Sequence, residues 1–391
     1  MEFEFLPTPQ IFFGFKQFHK IGTLVKELGS RLLIVASGSA FNSPETRETF
    51  TVSISKQEIE FDTFLIIEEP TIETIDFGVQ KAKEFNADVI MSLGGGSAID
   101  ASKAIAGLYT NGGSARDYME VIGKGSVITQ PSLPIIAVPT TAGTGSEVTK
   151  NAVILAEKEK FKASIRSPLL IPRIAIIDPM LMLSVSPSFT ATCGMDALTQ
   201  LIEAYTSNKS QPLTDAWALL GVEKAFKSLL TCYNDGQSLN ARKDMALASL
   251  LSGICLANAG LGAIHGFASP MGGLKIPHGV ICAALLKPTI EANIKELKKM
   301  DSENITLKKY AKLGEIISKK SQPSINEAHR VLVDYLGRLT QELKIPTLSK
   351  FGLNDSDIGI IVDKAKKSSS MRYNPIKLKK TVLMEILQQT L

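Results

Sequence analysis

The strongest constraint on this chain is a change of pattern partway along it. Up to Asp178, short apolar segments of strand type alternate with helical segments; from Pro187 onward every periodic segment reads as helix. Arg31–Ala36, Ala87–Leu93 and Ile135–Val138 are runs of branched and apolar residues, the pattern of strands buried on both faces. Phe61–Ile67 and Arg173–Ile177 read as further strands, and 151–156 with 161–166 as a paired couple. Helices fall at Thr23–Leu28, stopping at Gly29, at Thr71–Phe85, and from Ala98. The opening dozen residues, up to Phe12 and Phe13, are strand-like and need a sheet to join, either the chain's own or that of another subunit. Strands alternating with helices imply a mostly parallel sheet covered on both sides. The expected architecture is an α/β N-terminal domain over 1–184 and an all-α C-terminal domain over 185–391. A chain of 391 residues is too long for one ordinary core, which agrees with two domains.

Composition narrows the function. No apolar run is long enough to span a bilayer, and Met1-Glu2-Phe3-Glu4-Phe5 does not read as a signal peptide. The expectation is a cytoplasmic protein without a membrane partner. The net charge of +4 is small for this length, and the lysines at 377, 379 and 380 have no aromatic residues among them. They read as a solvated face and not as a nucleic-acid surface. Cys193, Cys232, Cys255 and Cys282 are widely spaced, which argues against a disulfide framework or a thiolate zinc site.

Chemistry concentrates in four stretches. Gly94-Gly95-Gly96-Ser97 lies between a strand and a helix, where glycines let the backbone approach a phosphate and the helix N-terminus attracts it. Pro139–Glu147 follows a buried strand with three threonines, a serine and two glycines, suited to phosphate, ribose or carboxamide oxygens. Lys162 is close enough in sequence to serve a ribose hydroxyl. The third stretch, Gly194–Tyr205, is a helix whose apolar face carries Leu198, Leu201, Ile202 and Tyr205, while Asp196, Gln200 and Glu203 form a polar stripe. Such a stripe faces either solvent or a site. The fourth stretch holds His265, expected to end a small-residue helix running from Arg242 to Ile264, and His278, expected to open the next helix behind Pro277. Two imidazoles at helix ends with Asp196 can make an N/N/O site for a catalytic divalent metal.

These motifs in this order resemble the iron-containing (group III) alcohol dehydrogenase family over nearly the whole chain. The residues that carry the resemblance are 94–100, 139–147, Gly194-Met195-Asp196-Ala197-Leu198, His265-Gly266 and Pro277-His278-Gly279. The resemblance implies an N-terminal dinucleotide domain, a helical domain and a metal in the cleft between them. It implies that Asp196, His265 and His278 are catalytic metal ligands, with Gln200 at the position where the family places a fourth, histidine ligand. Gly95, Gly96 and Ser97 then hold the pyrophosphate, and Asp100, Thr140, Thr141, Thr144, Ser146 and Lys162 belong to the rest of the cofactor site. NAD-preferring members carry an acidic residue at the end of the first strand of this fold, where Ser37 stands here, so NADP is expected to be tolerated. Ser269 replaces a histidine found near the nicotinamide in many members. The expected function is NAD(P)-dependent alcohol dehydrogenase or aldehyde reductase, with iron or zinc, a small alcohol or aldehyde as substrate, and a homodimeric state. Two alternatives follow from Gln200 and Ser269. One is a metal-independent reductase like the related maleylacetate reductases, with Gln200 donating a hydrogen bond to the substrate oxygen. The other is a nucleotide-binding protein without turnover.

Overall fold

The computed structural model describes residues 2–274, 276–318 and 323–391. The chain divides into two compact units, Phe5–Val185 and a second centred on Ser186–Leu391. Eight strands lie in the first unit: β1 (Gln10–Phe13), β2 (Arg31–Ser37), β3 (Glu60–Ile66), β4 (Val89–Gly94), β5 (Ile135–Pro139), β6 (Asn151–Ala156), β7 (Phe161–Arg166) and β8 (Ile174–Ile177). Its helices are α1 (Ile21–Lys26), α2 (Gly38–Phe41), α3 (Pro44–Ile54), α4 (Ile72–Glu84), α5 (Gly96–Asn111) and α6 (Ala115–Tyr118). Six strands form one sheet in the order β1-β8-β5-β4-β2-β3, every pair parallel. β6 and β7 form a separate antiparallel pair with the bounds the sequence pattern predicts.

The alternation of side chains sorts each central strand between two cores. Leu33, Val35, Ile90 and Ile135 face one side, under α4 and α5, and Leu32, Ile34, Met91, Ile136 and Val138 face the other, under α1 and α3. A strand covered on both faces cannot keep polar positions, which is why β2, β4 and β5 read as unbroken apolar runs. The chain steps outward from β2 to β3, then returns to place β4 on the other flank of β2. That reversal opens a crevice at the carboxyl ends of β2 and β4, the place where open α/β sheets bind ligands. Ser37 ends β2 there, and Gly94 ends β4.

The opening segment forms a strand only over Gln10–Phe13, and its partner is the chain's own β8, in the register Gln10↔Ile174 to Phe13↔Ile177. The Phe18 N–H to the Asp178 carboxylate at 3.2 Å secures the same corner.

Among the described residues, the second unit is entirely helical: α7 (Pro187–Thr206), α8 (Pro212–Asn234), α9 (Leu239–Ala259), α10 (Ala263–Met271), α11 (His278–Met300), α12 (Ile305–Ser318), α13 (Ile325–Glu342), α14 (Asp355–Ala365) and α15 (Lys380–Gln388), with short 3₁₀ turns between some of them. No single described helix is long and apolar enough to cross a membrane. The small-residue helix does not run on to Ile264. It stops at Ala259 because Gly260 adopts φ +69°, a left-handed conformation that ends the helix at little cost only in glycine. The axis then turns by 97°. His265 therefore sits in the first turns of a new helix, α10, and not at the end of an old one.

Candidate functional site

In the second unit the site is built on three helices. α7 starts cleanly, with Pro187 in its first turn and the Ser186 hydroxyl accepting the Phe189 N–H. Its polar stripe does not face water: Asp196 and Gln200 are 2% exposed and Glu203 6%. Three polar side chains buried on one stripe require partners, and α10 and α11 supply them. Gly279, in the first turn of α11, lies so close to α7 that a Cβ there would stand 2.3 Å from the Thr192 carbonyl oxygen. Only glycine permits this approach, and one turn further along α7 it sets His278 beside Asp196.

The result is a compact cluster. The Asp196 Oδ1 lies 3.2 Å from His265 Nε2 and 3.4 Å from His278 Nε2. Cys282 Sγ lies 3.7 Å from His265 Nε2 and 3.6 Å from His278 Nε2. All four atoms fall within 4.8 Å of one another. Glu203 supports the cluster from behind: its Oε2 is 2.6 Å from His265 Nδ1, and its Oε1 accepts the Ile264 N–H at 2.7 Å. With Nδ1–H donating to Glu203, the Nε2 of His265 is directed into the cluster, where a cation would take the place of its proton. His278 is the most open member, with its side chain 36% exposed.

Charge follows geometry. Burial by itself would raise the Asp196 carboxyl, but the charge and hydrogen bonds of His278 and His265 outweigh it and hold Asp196 far below the usual carboxylate range. Burial opposes charge on the two imidazoles, yet Cys282 and Asp196, with Glu203 at His265, raise both above their ordinary value. A field that favours protons on these nitrogens also favours a divalent cation among them.

The donor set fits such a cation. Bonds of about 2.0–2.3 Å from a tetrahedral centre to N, O and S ligands imply ligand–ligand separations of about 3.3–3.6 Å. Four of the six separations run from 3.2 to 3.7 Å, and the other two, His265 to His278 and Asp196 to Cys282, lie within 4.8 Å. Gln200 is engaged differently. Its amide oxygen, the atom that would bind a cation, accepts from Ser252 Oγ at 2.9 Å.

Cys282 escapes the sequence reading as a ligand, and Glu203 is read there only as part of a polar stripe, without its partner. Wide spacing between cysteines argues against a site made of thiolates alone, but says nothing about one thiolate among histidines. The signal was the pair His278 and Cys282, four residues apart at a helix start and so on one face. Glu203 stands on the α7 stripe, and its partner His265 lies in another helix.

In the first unit, the carboxyl ends of β4 and β5 form a cradle. Gly95 caps α5 with no side-chain hydrogen bond over the helix end, so backbone N–H groups there are available to an anion. A Cβ on Gly95 would stand 3.1 Å from Thr141 Oγ1, and one on Gly96 2.8 Å from Thr144 Cγ2. The glycines thus keep open a channel walled by two threonines, which is what a pyrophosphate needs. Ser37, Gly95, Gly96, Ser97, Thr141 and Thr144 are all partly open to solvent. Thr140 is buried, and its N–H donates to the Gly94 carbonyl at 3.0 Å.

Asp100 and Ser146 are turned inward instead. The Asp100 carboxylate accepts from Ser146 Oγ and from the Val153 N–H at 3.1 Å, and lies 3.4 Å from Lys103 Nζ. Lys103 is fully buried and donates to the carbonyls of Ser146 and Asn151 and to the Thr149 hydroxyl. Asp100 and Ser146 therefore brace the threonine-rich loop from beneath and do not line the channel, because their polar atoms are already spent on the protein. Lys162 pairs with Glu69 at 2.8 Å.

Comparison with known proteins agrees with both halves. Residues 7–179 match the family described as iron-containing alcohol dehydrogenase, and residues 190–391 match the C-terminal domain of the Fe-containing alcohol dehydrogenase family. Alcohol dehydrogenase 4 of Saccharomyces cerevisiae is 36% identical over 324 residues, spanning 82% of this chain and 80% of its own. The NAD-dependent methanol dehydrogenase of Bacillus methanolicus is 30% identical over 369 residues, 91% of each chain. The crystal structure of a 1,3-propanediol oxidoreductase superposes over 100% of both chains with a TM-score of 0.91 at 30% identity. The chain belongs to the iron-containing alcohol dehydrogenase family, and it is an oxidoreductase acting on CH–OH groups.

Proposed function

We propose that this protein interconverts a small primary alcohol and its aldehyde, using NAD, accepting NADP as well, and holding a divalent cation on Asp196, His265 and His278. The observation that carries the reading is the convergence of Asp196 Oδ1 with two imidazole Nε2 atoms at 3.2 and 3.4 Å. When bound, the dinucleotide supplies or takes up a hydride and the cation polarises the substrate oxygen as a Lewis acid. Asp196 contributes the anionic ligand, and Glu203 holds His265 in the tautomer that presents Nε2. Gly95, Gly96 and Ser97 bind the pyrophosphate through backbone N–H groups, with Thr141 and Thr144 as channel walls. The small substrate is favoured by relatives named for methanol and 1,3-propanediol. NADP tolerance is favoured by Ser37, which offers no carboxylate to repel a 2′-phosphate. β1 is hydrogen-bonded on one side only, and its free edge favours a homodimer. Four cysteines with no disulfide among them suit a reducing cytoplasm.

The test measures metal content in protein purified without added metal, together with NADH- and NADPH-dependent aldehyde reduction before and after chelation. Near-stoichiometric iron or zinc, with activity lost on chelation and restored on readdition, is the expected result. Full activity in metal-free protein would overturn the cation and place the chain with the metal-independent reductases.

A further inference from the structure

Gln200 stands where the resemblance places a fourth imidazole ligand, and its amide oxygen is taken by Ser252. A neutral amide is in any case a weak substitute for imidazole toward Fe²⁺ or Zn²⁺. The structure offers another donor on a different helix. Cys282 is fully buried, one turn beyond His278 on α11, and its Sγ stands 3.6 and 3.7 Å from the two Nε2 atoms that face Asp196. For a centre with bonds of about 2.05 Å to nitrogen and 2.3 Å to sulfur, tetrahedral N···S edges come to about 3.55 Å. The Asp196 Oδ1 distances to the same nitrogens, 3.2 and 3.4 Å, match the shorter edge between N and O ligands.

We propose that Cys282 is the fourth protein ligand of this site, so that the cation is held by Asp196, His265, His278 and the Cys282 thiolate, with a fifth position, of the kind that catalytic zinc sites open, left for the substrate oxygen. The proposal rests on the reading that the cluster holds a cation. Uptake releases the thiol proton to solvent, and the sulfur lone pair left behind forms the new bond. Replacing a nitrogen donor by a thiolate makes the site softer and more anionic. It therefore selects zinc, or cobalt as its spectroscopic stand-in, over Fe²⁺. This chain would then differ in metal preference from what the family's name suggests.

The experiment uses the full-length protein stripped of metal and titrated with Co²⁺. The expected result is one equivalent bound, with an intense sulfur-to-cobalt charge-transfer band in the near ultraviolet. The band should disappear in Cys282→Ser and persist in Cys193→Ser, which removes the most accessible thiol. Zn²⁺ affinity of Cys282→Ser should fall by more than the roughly 10–100-fold that loss of an outer-shell partner costs. Zinc-edge X-ray absorption on the unmutated protein should show one sulfur at about 2.3 Å, a readout that does not depend on the variants folding. Stoichiometric Co²⁺ without the band, or a band that survives Cys282→Ser, would overturn the role of Cys282 and leave the cation reading standing. Failure to bind Co²⁺ or Zn²⁺ at all would overturn both.

Discussion

Glu203 gives the sharpest test of how the metal site is tuned. The substitution Glu203→Gln keeps size and shape but changes one acceptor into a donor. In the native arrangement each carboxylate oxygen serves a separate N–H: Oε2 takes His265 Nδ1–H at 2.6 Å, and Oε1 takes the Ile264 N–H at 2.7 Å. Such charge-assisted bonds are worth about 1.5–3 kcal/mol each. Glutamine has one acceptor for two donors. If its oxygen stays with the Ile264 N–H, its NH₂ faces His265 Nδ1, and the imidazole relieves the clash by moving its proton to Nε2. A cation at Nε2 then forces the ring proton back onto Nδ1 against the amide NH₂, a cost that the native Glu203 carboxylate does not impose. Zn²⁺ affinity should therefore fall about 10–100-fold, or about 1.4–2.7 kcal/mol. Competition with a chromophoric chelator measures this, and thermal unfolding of the metal-free protein separates it from a loss of stability. Metal affinity within about twofold of the unmutated protein, alongside a lowered Tm, would refute the tautomer argument. Glu203 would then be an anchor of α10 and nothing more.

Three further outcomes are expected. Gly96→Ala puts a methyl 2.8 Å from Thr144 Cγ2, so NADH binding followed by fluorescence should weaken at least about tenfold while metal content stays unchanged; unaltered affinity would mean that the pyrophosphate does not lie in this cradle. Ser37→Asp should weaken NADPH relative to NADH by about tenfold or more, read from the ratio of dissociation constants; an unchanged ratio would remove Ser37 from the 2′-phosphate site. Burial raises the Glu147 carboxyl from 4.5 to about 7, with the nearby Lys103 charge opposing that rise. The folded state keeps its proton where the unfolded state has released it, so stability should fall as pH rises from about 4.5 through 7, by about 3 kcal/mol at ~1.4 kcal/mol per pKa unit. Glu147→Gln should flatten the slope in urea unfolding between about pH 4.5 and 6.5, below the range where the raised imidazoles of His265 and His278 contribute, and an unaltered slope would assign it to other groups.

The nucleotide-binding half was legible because its signals are local. Strands covered on both faces leave unbroken apolar runs, and a β-hairpin leaves two alternating runs around a turn, so β2, β4, β5, β6 and β7 stand out in the sequence. The end of α9 did not, because a run of alanines, serines and glycines sustains a helix until one glycine takes a positive φ. Asp100 and Ser146 look like ligand-facing residues in sequence, since a buried carboxylate and hydroxyl that satisfy each other have the composition of a site. Glu203 gains meaning only from a partner on another helix, and Cys282 only when α10 and α7 bring His265 and Asp196 to the face it shares with His278. The full cluster is a product of packing, governed at one point by the bare backbone of Gly279, and the spacing of His278 and Cys282 encodes only the part of it that lies on one helix.

The edge strand β1 has a consequence for how the protein is made. Its partner β8 emerges roughly 160 residues later, as the Phe18–Asp178 contact across a separation of 160 also shows. At about 5–20 residues per second of synthesis, the first strand waits on the order of ten seconds or more with no sheet to join. During that interval its apolar residues Ile11, Phe12 and Phe13 are open to other chains on the same messenger. β1 thus depends on protection from such contacts until Ile174–Ile177 leaves the ribosome exit and offers it a partner.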